Sequence, residues 1–123
     1  MIVVDTSALV DSLTGPRQSL PQLTELIASG ERILLPTIVL YEWLRGPRLP
    51  QELRHCEDLF PEDQVVPFGV PEARVAARLY RSIGSPRRRE IDLAIAAVAI
   101  THDAALWTLN NEDFRNIKEV SLI

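Results

Sequence analysis

Ile2-Val3-Val4-Asp5-Thr6-Ser7-Ala8-Leu9 opens the chain with an apolar run, an acid and two hydroxyls. Residues 1–5 read as a short buried strand. Thr6 to about Leu13 then reads as a helix, stopped by Gly15-Pro16. A strand that ends in a carboxylate and turns straight into a helix is the start of an α/β unit. In such folds, functional groups collect beyond the carboxyl ends of the strands.

The same alternation continues. A helix is expected from about Gln18 to Ser29, with Gly30 as its stop. Ile33-Leu34-Leu35 is a second strand, closed by Pro36. Thr37 suits the N-cap of a helix reaching Arg45, ended by Gly46-Pro47. Pro50 to about Phe60 is helical and Val65-Val66 is a third short strand. Further helices are expected from Val70 to about Ile83 and from Arg88 to about His102. Leu106-Trp107-Thr108 is a fourth strand, and Glu119-Val120-Ser121-Leu122 is a candidate fifth. Short apolar strands alternating with helices imply an α/β sandwich with a mostly parallel sheet.

The 123 residues suit a single domain spanning 1–123, with enough chain for a core that needs no disulfide. Hydrophobic residues make up 46% and charged residues 24%, an ordinary globular composition. The lone Cys56 has no internal partner, which fits a reducing cytoplasm. No apolar run approaches the roughly 18–20 residues of a membrane span, and Asp5 cuts short the only apolar N-terminal stretch. The net charge of −4 excludes a strongly basic nucleic-acid-coating protein but leaves room for an enzyme with a local basic rim. Lys118 is the only lysine, so the other basic residues are all arginine. Arginine suits phosphate recognition, and a GC-rich genome produces the same bias.

Four acids stand beside apolar segments: Asp5, Glu42, Asp92 and Asp113. A carboxylate there needs a partner or a shifted pKa. Each also has a plain structural role available. Asp5 can cap its helix, Glu42 can pair with Arg45, and Asp92 can complement a helix dipole or the arginines before it. Asp113 lies in Asn110-Asn111-Glu112-Asp113-Phe114, which serves equally as a polar turn. Helix 37–45 is apolar nearly all round and reads as buried, which makes Glu42 the hardest of the four to explain structurally. If the four converge, a hard divalent cation such as Mg²⁺ or Mn²⁺ is their natural common partner. There is no HxxxH, CxxC, HExxH, G-x-S-x-G, Walker A or G-x-G-x-x-G pattern, so zinc, an esterase elbow and nucleotide-cofactor folds lack support.

Four segments, taken in order, resemble the motifs of the PIN domain: Ile2-Val3-Val4-Asp5-Thr6-Ser7, Pro36-Thr37-Ile38-Val39-Leu40-Tyr41-Glu42, Asp92-Leu93-Ala94-Ile95-Ala96-Ala97 and Thr108-Leu109-Asn110-Asn111-Glu112-Asp113-Phe114. The compact size is similar to that of VapC-type toxins of toxin–antitoxin pairs. The resemblance implies a three-layer α/β/α sandwich with a sheet of four to five short strands. It also implies a Mg²⁺- or Mn²⁺-dependent endoribonuclease, with Asp5, Glu42 and Asp92 as metal-holding acids. The family's fourth acid often falls where this chain has Asn110, so Asp113 becomes the candidate to complete the set. Thr6, Ser7, Thr108 and Asn110 match supporting positions. Arg87, Arg88 and Arg89 would flank the cleft as RNA contacts. A small cognate antitoxin that places a cation in the cleft, and a homodimer, follow from the same resemblance. Leu40, Trp43 and Leu44 are candidates for core or interface, core first.

Crowded carboxylates repel one another without a cation, so raised pKa values and weak activity at low pH are expected. Two rival enzymes fail on single residues. A haloacid-dehalogenase-like phosphatase needs a second Asp where Ser7 stands and a mid-chain lysine, and a receiver domain needs the same lysine. The rival of another class is a catalytically silent PIN-like module that binds RNA or protein.

Overall fold

The computed structural model describes residues 1–84 and 86–123. In chain order the elements are β1 (Ile2–Val4), α1 (Thr6–Leu13), α2 (Leu20–Ala28), β2 (Ile33–Pro36), α3 (Thr37–Arg45), α4 (Pro50–Leu59), β3 (Val65–Val66), α5 (Val70–Ser82), α6 (Glu90–Thr101) and β4 (Ala105–Trp107). Short 3-10 turns occupy Glu62–Gln64 and Asn111–Asp113.

The four strands form one sheet in the order β3-β2-β1-β4, and every pairing is parallel. All residues of β1 and β2 are buried. A strand buried on both sides has both faces of its sheet covered, which is why these strands read as unbroken apolar runs. The result is the α/β sandwich expected from the sequence. The candidate fifth strand contributes only one parallel bridge, Leu106 to Leu122, on the outer edge of β4.

The chain steps from β1 to β2 to β3 in one direction and then returns to place β4 on the other side of β1. That reversal opens a crevice between the carboxyl ends of β1 and β4, where α/β sheets bind ligands. α6 packs against β1, β4, α3 and α5. Its residues Leu93 to Ala99 are all buried, so the Ala-rich helix is the central one. Trp107, Phe114, Leu9 and Leu34 are among the largest side chains sealed in the core.

Several boundaries differ from expectation for local reasons. α2 begins at Leu20 rather than Gln18, because Arg17 takes a left-handed φ of 54°. α6 begins at Glu90 rather than Arg88, whose φ of 64° is also left-handed. Thr37 is the first residue of α3 and not its cap, since Pro36 ends β2 in an extended conformation. The Thr37 hydroxyl instead accepts the Phe68 backbone N–H at 3.3 Å. α3 is not buried all round: Tyr41 and Leu44 are each 58% exposed. Trp43 is core, whereas Leu44 is not. Among the described residues no helix is long and apolar enough to cross a membrane.

Candidate active site

Asp5 stands at the carboxyl end of β1 and is buried. It occupies the N-cap position of α1, yet its side chain caps nothing. Its Oδ2 accepts two hydroxyl hydrogen bonds, from Ser7 Oγ at 2.9 Å and Thr108 Oγ1 at 2.6 Å. Each hydroxyl is itself held by a backbone donor: Leu109 N–H gives to Ser7 Oγ and Asn110 N–H to Thr108 Oγ1, both at 3.0 Å. The parallel register explains the meeting. Val4 pairs with Trp107, so the next residue of each strand, Asp5 and Thr108, emerges at the same edge. Among the described residues no hydrogen bond reaches Asp5 Oδ1. A carboxylate fixed through one oxygen keeps the other for a ligand.

Glu42 lies in the second turn of α3, with both carboxylate oxygens engaged. Thr6 Oγ1 donates to Oε1 at 2.5 Å, and Arg45 Nη2 donates to Oε2 at 3.2 Å. α1 and α3 both start at carboxyl ends of adjacent strands and pack together, which brings Thr6 to Glu42. The pairing with Arg45 expected from the sequence is present, and Arg45 also lies 5.2 Å over the Tyr41 ring.

Asp92 is the third residue of α6 and is half-buried. Its pKa is pushed up to about 6, first by burial, then by the negative charges of Asp113 and Asp5, with Glu42 adding to the rise and Arg89 opposing it. Three acids from as far as 87 positions away in the chain therefore act on Asp92 electrostatically. Asp113 ends the 3-10 turn that follows β4 and is exposed. Its N–H donates to the Asn110 carbonyl at 2.9 Å, so Asn110 shapes the turn that carries the acid.

The arginine run divides. Arg87 and Arg88 are exposed. Arg89 is engaged within the protein: its Nη2 donates to the Asp113 backbone carbonyl and, at 2.9 Å, to Asn116 Oδ1. Asn116 carried no signal in the sequence, being one polar residue in a polar turn. Cys56 is buried, and burial pushes its thiol up to about 11, so it is not a nucleophile.

The donor set fits a hard divalent cation. It consists of carboxylate oxygens, with neither sulfur nor imidazole in the proposed set. Among the described residues no three acidic, His or Cys side chains already stand as a closed ligand cage.

A fold of this topology, with acids gathered at the switch point, is a PIN domain. The PIN domain family model matches residues 2–120, and the chain belongs to that family. It is 39% identical over 118 residues to ribonuclease VapC19 of Mycobacterium tuberculosis, covering 93% of this chain and 92% of that protein. Ribonuclease VapC1 of Methanocaldococcus jannaschii is 32% identical, over 98% of this chain and 84% of that one. The crystal structure of VapBC2 from Rickettsia felis bound to a promoter DNA fragment shares the fold, with a TM-score of 0.76 and 23% identity over 100% of this chain and 98% of that chain.

Proposed function

We propose that this protein is a divalent-metal-dependent endoribonuclease and the toxin of a type II toxin–antitoxin pair, with residues 1–123 acting as one domain in the cytoplasm. The observation that carries the reading is the joint action of Asp5, Glu42 and Asp113 on the Asp92 carboxyl, with Asp5 at the carboxyl edge of a parallel sheet. Relatives named ribonuclease VapC support the activity, and solved VapBC complexes support a small antitoxin as partner.

Asp5, Asp92 and Glu42 are the residues that would hold Mg²⁺ or Mn²⁺, with Asp113 completing the acidic set in place of Asn110. When bound, the cation supplies Lewis acidity and a water of lowered pKa for attack on a phosphodiester. The protein's own part is positional. Ser7 and Thr108 lock the Asp5 carboxylate through Oδ2 and leave Oδ1 for a ligand. Thr6 holds Glu42. Asp92 acts as a ligand only when ionised, and its raised pKa means that acidification weakens its hold on a cation. Arg87 and Arg88 are exposed beside the start of α6 and suit phosphate contacts from an RNA strand. An antitoxin that inserts a cationic side chain would satisfy the same acids as the metal. The exposed Tyr41 and Leu44 on α3 are apolar area for an interface, including that of a homodimer.

The test is cleavage of a labelled RNA with Mn²⁺, with chelator, and with the Asp5→Ala protein. Cleavage that requires Mn²⁺ and disappears in Asp5→Ala, with the circular dichroism spectrum unchanged, supports the nuclease. A folded protein that binds no divalent cation and cuts no RNA is the silent module instead.

A further inference from the structure

Arg89 sits at the N-cap position of α6, three residues before Asp92 on the same helix start. Its Nη2 reaches across to the segment after β4. There it donates to the Asp113 backbone carbonyl and to Asn116 Oδ1, 2.9 Å away. One guanidinium nitrogen thus ties the helix that presents Asp92 to the turn that presents Asp113. These two acids lie 21 positions apart in the chain, and the charge of Asp113 acts on Asp92. Like charges on a helix start and an exposed turn push the two apart. Arg89 opposes that separation in two ways: by direct bonds to the turn and by its positive charge beside Asp92.

We infer that Arg89 is a positioning residue that sets the separation of Asp92 and Asp113 for a divalent cation, and is not an RNA-contacting residue like its neighbours in the run. This rests on the metal-nuclease reading above. Arg87 and Arg88 are exposed, whereas Arg89 is half-buried with its Nη2 already bonded to two acceptors. A phosphate-binding arginine at this position would have to give up those bonds first.

Deleting the guanidinium has two opposed effects on cation binding. The clamp is lost, which weakens binding, and a positive charge is lost, which strengthens it. Arg89 is half-buried, but its bonds to the turn lie at the solvent-exposed edge, where Coulomb effects are screened, so the clamp dominates. Outer partners of metal ligands are felt at roughly tenfold or more in affinity.

The experiment is a calorimetric Mn²⁺ titration of the purified full chain, wild type against Arg89→Met, Arg89→Lys, Asn116→Ala and Arg87→Ala. Parallel measurements give kcat and KM for RNA cleavage. Arg89→Met should bind Mn²⁺ roughly tenfold more weakly. Asn116→Ala keeps the charge but loses one acceptor and should fall between Arg89→Met and wild type, as should Arg89→Lys. Arg87→Ala should leave Mn²⁺ affinity unchanged and raise KM. Arg89→Met binding as tightly as wild type, or more tightly, overturns the inference, as does an Arg89→Met protein whose only change is a raised KM. If Arg89→Met does not fold, an Asn116→Ala protein with wild-type Mn²⁺ affinity overturns it. A wild type that binds no Mn²⁺ overturns the nuclease reading, and this inference falls with it.

Discussion

The two halves of the cleft are built differently. On the β1/β4 side, Asp5 is buried and its Oδ2 is saturated by two hydroxyls, each backed by a main-chain N–H. On the α6 side, Asp92 feels the charge of Asp113 and has no hydroxyl partner among the described residues, and Arg89 ties the two segments together. The first half is finished by folding. The second is the half that the proposed cation would finish. Sheet register orders the first half at no cost in charge, while the second holds repulsion that a divalent ion would relieve.

That contrast is broken most directly by removing one acid from each half. Asp5→Asn and Asp92→Asn should each lower Mn²⁺-dependent RNA cleavage by about three orders of magnitude, the scale of losing a preorganised electrostatic stabiliser. Single-turnover rates measure this. An Asp92→Asn protein that cleaves within tenfold of wild type would remove Asp92 from the metal site.

The two substitutions should act oppositely on stability. Asp92 has a folded-state pKa near 6 against an ordinary value of 3.8. The folded state therefore holds the Asp92 proton more tightly than the unfolded chain does. Its contribution to stability is fully present below the unfolded pKa and is lost as pH rises through about 6. Metal-free Asp92→Asn should accordingly melt higher than wild type at pH 7.5, and the gap should close toward pH 4. Added Mn²⁺ should raise the wild-type melting temperature and leave Asp92→Asn nearly unmoved. Asp5→Asn should melt lower than wild type, since its amide replaces an acceptor of two hydroxyl protons. Melting curves by circular dichroism at several pH values show both signs. At limiting Mn²⁺, activity should fall as the pH drops below about 6, where a proton competes with the cation for Asp92, and added Mn²⁺ should move that fall to lower pH.

Thr108→Val sharpens the comparison at smaller scale. It removes a buried hydroxyl that donates to Asp5 and accepts from Asn110 N–H. The expected cost is about 1–3 kcal/mol of stability and roughly tenfold in Mn²⁺ affinity, read by urea denaturation and titration. Arg45→Ala should be the mildest change. Its ion pair with Glu42 is partly exposed, so the stability change should stay below about 1 kcal/mol.

Much of the fold was legible because its strands are buried on both faces and so appear as plain apolar runs between helix signals. Gly30, with a φ of 90°, stops α2 as its residue type suggests. α3 was misread for the converse reason: Tyr41 and Leu44 are as apolar as core residues but lie on an open face. Hydrophobicity does not distinguish a core from an exposed apolar surface. In the candidate site, the acids could be picked out because each interrupts or borders an apolar segment. Arg45 was readable as the partner of Glu42 from its spacing, and Thr6, Ser7 and Thr108 as supporting positions from the resemblance, but the role of Arg89 was not. Arg87, Arg88 and Arg89 are identical in composition, and only the path of the segment after β4 separates Arg89 from the other two.

The order of strands and helices, and the placing of Asp5, Glu42 and Asp92 at their ends, were already written in local pattern, because periodicity and chain-breaking residues act over a few positions. The meeting of Thr108 with Asp5 across 103 positions, and the setting of Asp113 against Asp92, came only from the β3-β2-β1-β4 order and the packing of α6. Those contacts depend on sheet register and burial, which no stretch of neighbouring residues specifies by itself.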